Sequence, residues 1–154
     1  MKKFINYWLP PVIWMIVIFP ANKSLTSENT SYFLYPIIKF IFPDADAIFV
    51  ENAHKIIRKL MHFFDYAFLA FLLFRGFCGG NKIIKIEYYL YSGLIAVCYG
   101  MIDEIIQTFI PKRTGSIYDW IIDSAGAILS LAIIYFFRRN NLNQSGILLK
   151  TKIY

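Results

Sequence analysis

Tyr99-Gly100-Met101-Ile102-Asp103-Glu104-Ile105-Ile106-Gln107-Thr108-Phe109-Ile110-Pro111-Lys112-Arg113-Thr114-Gly115-Ser116-Ile117-Tyr118-Asp119-Trp120-Ile121-Ile122-Asp123 joins two segments that otherwise read as membrane helices. The first part closes an apolar run that begins at Tyr88, and the last part opens another that extends to Phe137. Between and within them lie four carboxylates, Asp103, Glu104, Asp119 and Asp123, together with Gln107 and Arg113. Hydrocarbon supplies no water to the backbone, so both runs are expected to be helical even where an Asp interrupts them. An ionisable side chain at the bilayer centre costs about 2.5–3.5 kcal/mol on insertion scales, and less near the interface. A chain that gathers so many acids in one place is expected to use them.

Outward from this stretch the composition agrees with a membrane setting. The 154 residues make one domain's worth of sequence. They are 58% hydrophobic and 19% aromatic, with a mean hydropathy of +0.51, against an apolar share of roughly 45–50% in soluble domains. The net charge of +6 sits mostly in loops and ends, where Lys and Arg meet lipid phosphates and set topology. No basic face or nucleic-acid motif accompanies it, which excludes nucleic acid as a partner. Cys78 and Cys98 lie in or beside apolar runs without any metal-site spacing and read as packing residues.

Four segments approach the roughly 20 residues needed to span a bilayer. They are Phe4–Ala21, Leu60–Phe77, Tyr88–Ile110 and Ile117–Phe137. The first is expected to kink at Pro10-Pro11 and to be a retained helix, since Phe19 is a poor residue near a signal-peptide cut after Ala21. Residues 22–59 are expected to form a long connection. Its apolar centre is broken by Pro36, Lys39, Pro43, Asp44 and Asp46, so one or two short helices at the interface are expected there. Arg138-Arg139 is expected to stop the last helix, leaving 138–154 as a polar, poorly ordered tail. The expected fold is therefore an all-α membrane domain over residues 1–137, with four transmembrane helices and a long interfacial loop after the first. With both termini cytoplasmic, nine Lys and Arg fall inside and seven outside. Several of the outside charges belong to the polar constellation, which sharpens the positive-inside bias of the rest.

Four antiparallel helices bring the start of the second, the end of the third and the start of the fourth to one membrane face. Lys59, His62 and Tyr66 are spaced i, i+3, i+7 and share one face of the second helix. Asp103 and Gln107 share a face of the third, with Glu104 about 100° away on a helical wheel of 3.6 residues per turn. Asp119 and Asp123 are one turn apart on the fourth, and Gly126 continues that face and permits close helix contact. Pro111 ends one helix and Ser116 can cap the next. The expected result is a polar pocket at the outer headgroup level.

Three uses fit it. Carboxylates and an imidazole suit a divalent metal, rim cations suit a phosphate or carboxylate headgroup, and a carboxylate with His62 suits acid/base work. The bland alternative is a set of ion pairs that lock the helices together, such as Asp103 with Arg113 or Asp123 with His62. Asp65 is expected to face away from His62, and His54 is given no role.

These residues resemble the VanZ-like family of small bacterial membrane proteins. Arg58-Lys59-Leu60-Met61-His62-Phe63-Phe64-Asp65-Tyr66-Ala67-Phe68-Leu69 is similar to the family's RK-x-x-HF-x-E-Y-x-x-L signature, with Asp65 in the Glu place. The run from Asp103 through Glu104, Gln107, Pro111, Arg113 and Ser116 to Asp119 resembles its DE-x-x-Q-x-x-x-P-x-R-x-x-S-x-x-D pattern, and Asp123 and Gly126 follow at the expected spacing. Two places depart from the family: Phe19–Ser24 lacks its Ser-rich FSSQ-like stretch, and Ser130 stands for the last Gly of a G-x-x-x-G. The resemblance implies a bacterial cell-envelope membrane protein, whose namesake is associated with resistance to the glycopeptide teicoplanin. The soluble acyl-phosphate chemistry that the label phosphotransbutyrylase implies for some relatives has no motif here.

Three functions remain open on this reading. The first is an accessory protein that binds or modifies envelope lipid headgroups. The second is an intramembrane, metal-assisted hydrolase or transferase acting on a lipid-linked phosphate. In it His62 and Glu104 would be acid/base groups, Asp103, Asp119 and Asp123 metal ligands, and Lys59, Tyr66, Gln107 and Arg113 substrate contacts. The third is a structural partner for another membrane protein.

Overall fold

The structure is a computed structural model that describes residues 2–24, 27–81, 84–110 and 115–151, with side chains over 4–19, 34–81, 84–110 and 115–140. Among the described residues there are five helices and no strand: α1 (Lys2–Ser24), α2 (Ser27–Ile41), α3 (Ala47–Cys78), α4 (Ile86–Thr108) and α5 (Ile117–Thr151). Three of them, α3, α4 and the Ile117–Asn140 part of α5, are long and apolar enough to cross a membrane, and Phe4–Phe19 of α1 is a shorter apolar stretch.

The second expected helix begins much earlier than Leu60. Pro43 and Asp44 make a turn closed by the Ala45 N–H on the Phe42 carbonyl. Asp46 then caps α3, its carboxylate accepting from the Phe49 N–H at 2.6 Å. The connection expected over 22–59 is thus mostly helix: α2, a tight turn, and the first turns of α3. The apolar run starts at Leu60, but a helix outside the bilayer needs no apolar run. At about 1.5 Å per residue the 32 residues of α3 are about 48 Å long, more than the hydrocarbon core of about 30 Å requires. The same reasoning corrects the other end. Arg138-Arg139 marks where α5 leaves apolar surroundings, and the helix itself continues to Thr151. At the far end of α3, Gly79 takes the left-handed conformation (φ 54°) and its N–H caps the Arg75 and Gly76 carbonyls.

Helix α3 is the hub. It packs on α5 most extensively, then on α4, α1 and α2, and α4 also packs on α5. The shared core is Tyr66, Leu69, Ala70, Leu73, Phe74 and Cys78 of α3, Ala96 of α4, Ala127 and Leu131 of α5, and Ile18 of α1. Small residues set the closest approaches, because without a hydrophobic drive between helices in lipid the packing itself must supply the attraction. A Cβ on Gly126 would collide with the Phe63 carbonyl of α3. Three indole or phenol donors also cross between helices to backbone carbonyls: Trp14 Nε1 to Asp65 O (3.0 Å), Tyr99 Oη to Met15 O (2.7 Å) and Trp120 Nε1 to Val97 O (3.1 Å). The outward faces carry Leu90, Leu94, Ile105, Ile121 and Ile128, all exposed, as lipid contact requires.

Candidate functional site

The α3–α5 seam carries two polar rungs one turn apart. At the mouth, Asp119 of α5 faces two cations of α3: Lys59 Nζ lies 3.2 Å from its Oδ1 and Arg58 Nη2 3.9 Å from its Oδ2. Both cations are partly exposed there. One turn deeper, His62 Nδ1 lies 3.6 Å from Asp123 Oδ1. That distance is too long for a full hydrogen bond, and neither Asp123 oxygen nor Nδ1 has a hydrogen-bond partner among the described residues. Asp123 is only 1% exposed. A further turn down α3, Tyr66 is equally buried, and its hydroxyl is also without a partner. Gly100 of α4 makes this packing possible: a Cβ there would press on the Tyr66 ring at 3.2 Å and approach Asp123 Cβ at 3.6 Å. Ser124 Oγ, beside Asp123, is a fifth buried atom without a partner.

The acids of α4 have a different occupation. Asp103, Glu104 and Gln107 are all buried. Gln107 Nε2 donates to Asp103 Oδ2 at 3.1 Å and to Glu104 Oε1 at 3.2 Å. Gln107 lies four residues after one acid and three after the other, so it sits between them, and Glu104 is not turned away as the wheel suggested. The second Glu104 oxygen accepts the Ser116 N–H at 2.8 Å. Ser116 is the residue before α5, and its carbonyl takes the first α5 amide bonds, from Asp119 and Trp120. Glu104 therefore caps the N-terminus of α5 from the neighbouring helix, where the helix dipole favours a negative charge.

The expected site residues Lys59, His62, Tyr66, Asp103, Glu104, Gln107, Asp119 and Asp123 thus lie together at one end of the α3–α4–α5 trio. Arg113 lies outside the described residues. The three aspartates meet different partners, and among the described residues no three His, Cys, Asp or Glu side chains are placed to hold a metal ion. Sequence reasoning passed over Arg58, although it stands four residues before His62 and so on the same face. It also passed over Gly100, whose signal was its place one turn before the Asp103-Glu104 pair. Asp65 is partly buried, and its backbone carbonyl accepts from Trp14 Nε1. His54 proves buried, with Nε2 unpartnered.

Chemically the site sets two partly exposed cations one turn from a partly buried imidazole and beside it a buried carboxylate and phenol, with Nδ1, both Asp123 oxygens and the Tyr66 hydroxyl lacking a hydrogen-bond partner among the described residues. A family model described as VanZ/LLP1 matches residues 7–138. Comparison with curated proteins and with solved structures returns no match.

Proposed function

The chain belongs to the VanZ/LLP1 family, and from that premise we propose that it is a membrane protein of the bacterial cell envelope that binds the phosphate-bearing headgroup of an envelope lipid. In this reading α1, α3, α4 and α5 cross the cytoplasmic membrane, both termini are cytoplasmic, and the polar end of α3–α5 opens outward. By holding or altering headgroups there, the protein changes the surface met by glycopeptides of the teicoplanin type.

The observation that carries the proposal is the charge balance at the mouth. At the outer rung Arg58 and Lys59 face the single carboxylate of Asp119, two partly exposed cations to one acid. Guanidinium and ammonium groups at headgroup depth are what a lipid phosphate needs. Buried polar atoms without partners directly beneath mark the same spot as a place where something polar is meant to arrive.

The test is lipid retention. Protein purified in mild detergent from vesicles of phosphatidic acid and phosphatidylcholine is expected to keep phosphatidic acid selectively, by native mass spectrometry. The Arg58→Gln/Lys59→Gln double variant should lose that selectivity. Equal retention by wild type and double variant would sink the proposal.

A further inference from the structure

We propose that His62 and Asp123 form a proton-transfer dyad that serves this headgroup site and makes it an active site for hydrolysis at a lipid-linked phosphate. The proposal rests on the headgroup reading for its substrate class and on the geometry of the dyad for its chemistry.

One nitrogen of the imidazole faces a buried carboxylate. Nδ1 is closed off from solvent and aimed at Asp123, 3.6 Å away, while the ring as a whole keeps 14% of its side-chain surface open. With Nδ1 toward Asp123, Nε2 is the ring nitrogen left to exchange a proton with a ligand, and Arg58 and Lys59 stand one turn earlier on the same helix. A carboxylate behind Nδ1 fixes the tautomer with the proton on Nδ1 and the lone pair on Nε2, and stabilises the imidazolium that forms when Nε2 takes a proton. A dyad distance longer than a hydrogen bond is usual before substrate arrives and tightens in the complex. Asp123 is almost fully buried behind the ring, so it acts through His62 and is a positioning residue. The other charged groups that act on His62 are Asp119 of α5, Glu104 of α4 and Asp65 of its own helix. Asp119 is engaged by the rim cations and Glu104 by the Ser116 amide, and Asp123 is the acid paired with Nδ1, at 3.6 Å, among the described residues.

The step balances with water as the only co-reactant. A water gives its proton to His62 Nε2 as its oxygen bonds to phosphorus. The bond from phosphorus to the lipid oxygen, or to the bridging oxygen of a lipid diphosphate, breaks. The departing oxygen keeps that electron pair and takes the proton back from Nε2. Inorganic phosphate and a shortened lipid leave. Arg58 and Lys59 hold the phosphate and neutralise the charge that builds on it.

Two readouts test this. The chain has only two histidines, so ¹⁵N-histidine spectra of the full protein in lipid-free micelles, with His54→Gln for assignment, report the His62 tautomer without any need for lipid. Wild type should show the proton on Nδ1, and Asp123→Asn should move it to Nε2. Proteoliposomes holding phosphatidic acid, or a polyprenyl diphosphate, should release inorganic phosphate from at least one of them. His62→Gln should slow that release by about 100-fold or more, the usual size of a general acid–base contribution. Asp123→Asn should slow it as well, with helix content and thermal midpoint near wild type. An Nε2–H tautomer in wild type, no phosphate from either lipid, or undiminished release by His62→Gln would overturn the dyad. The headgroup reading stands or falls separately on phosphatidic acid retention by the rim.

Discussion

At the scale of single residues, the acids of this chain divide by what they touch. Glu104 looks from sequence like a proton donor, yet both its oxygens are engaged, one by Gln107 and one by the Ser116 amide at the start of α5. Its physical role is a cap supplied from twelve residues away. Removing a side-chain cap costs about 0.5–2 kcal/mol, and bonds to a charged acceptor lie toward the upper end. Glu104→Ala is therefore expected to lower stability in detergent by about 1–2 kcal/mol, read as a drop in the thermal midpoint. Glu104→Gln keeps an acceptor oxygen for the amide and should lose less than half as much. Equal losses would show that charge, and not the cap, is what the position needs. Arg58 and Lys59 present the opposite case. They share one partially exposed carboxylate, and each such pair is worth about 0–1 kcal/mol. Arg58→Gln and Lys59→Gln singly should leave the thermal midpoint close to wild type, because either cation can still answer Asp119. A large loss from one single variant would assign that cation to holding the fold and take it away from the ligand.

Among elements, the α3–α5 crossing decides whether the site exists. The polar rungs can meet only where the two backbones come close, and Gly126 allows that approach one turn below Asp123. A side chain there meets the Phe63 carbonyl, which is backbone and cannot swing aside. Overpacking of this kind typically costs about 1–3 kcal/mol. Gly126→Leu is expected to lower the thermal midpoint and to abolish selective lipid retention, since it forces His62 away from Asp123. Ala125→Leu, on the exposed side of the same turn, should be tolerated in both assays. Helix existence and the sharing of faces were legible in the sequence because lipid leaves the backbone no alternative to helix, and i, i+3, i+7 spacing then places Lys59, His62 and Tyr66 in line. Helix ends were not, because apolarity marks where a helix meets lipid and not where it stops. Asp46 after Pro43-Asp44 was the available signal for the true start of α3. The partner of each acid was also hidden. Glu104 reaching Ser116 depends on how α4 and α5 come together in space, and no spacing rule along one helix reports that.

For the whole molecule, the direction in which the site opens carries the function. The mouth at Arg58, Lys59 and Asp119 can meet an envelope headgroup only if the N-terminal third of α3 lies outside the cell. The α3–α4 turn and the end of the α5 span must then lie inside. Three exposed asparagines sit at the deciding places: Asn52 on the N-terminal part of α3, Asn81 in the α3–α4 turn and Asn140 where the α5 span ends. The two native cysteines are a buried core residue, Cys78, and one on the lipid-exposed surface of α4, Cys98. Replacing both with Ser or Ala gives a silent background for single-cysteine reporters. In intact cells, Asn52→Cys is expected to react with a membrane-impermeant maleimide, whereas Asn81→Cys and Asn140→Cys should react only after permeabilisation. By charge the preference for this orientation is slight, nine Lys and Arg inside against seven outside. Labelling with the opposite polarity would turn the mouth toward the cytoplasm. It would leave the buried dyad chemically intact but give it cytoplasmic phosphates to act on, and the proposed effect on glycopeptide encounter would have no route to the cell surface.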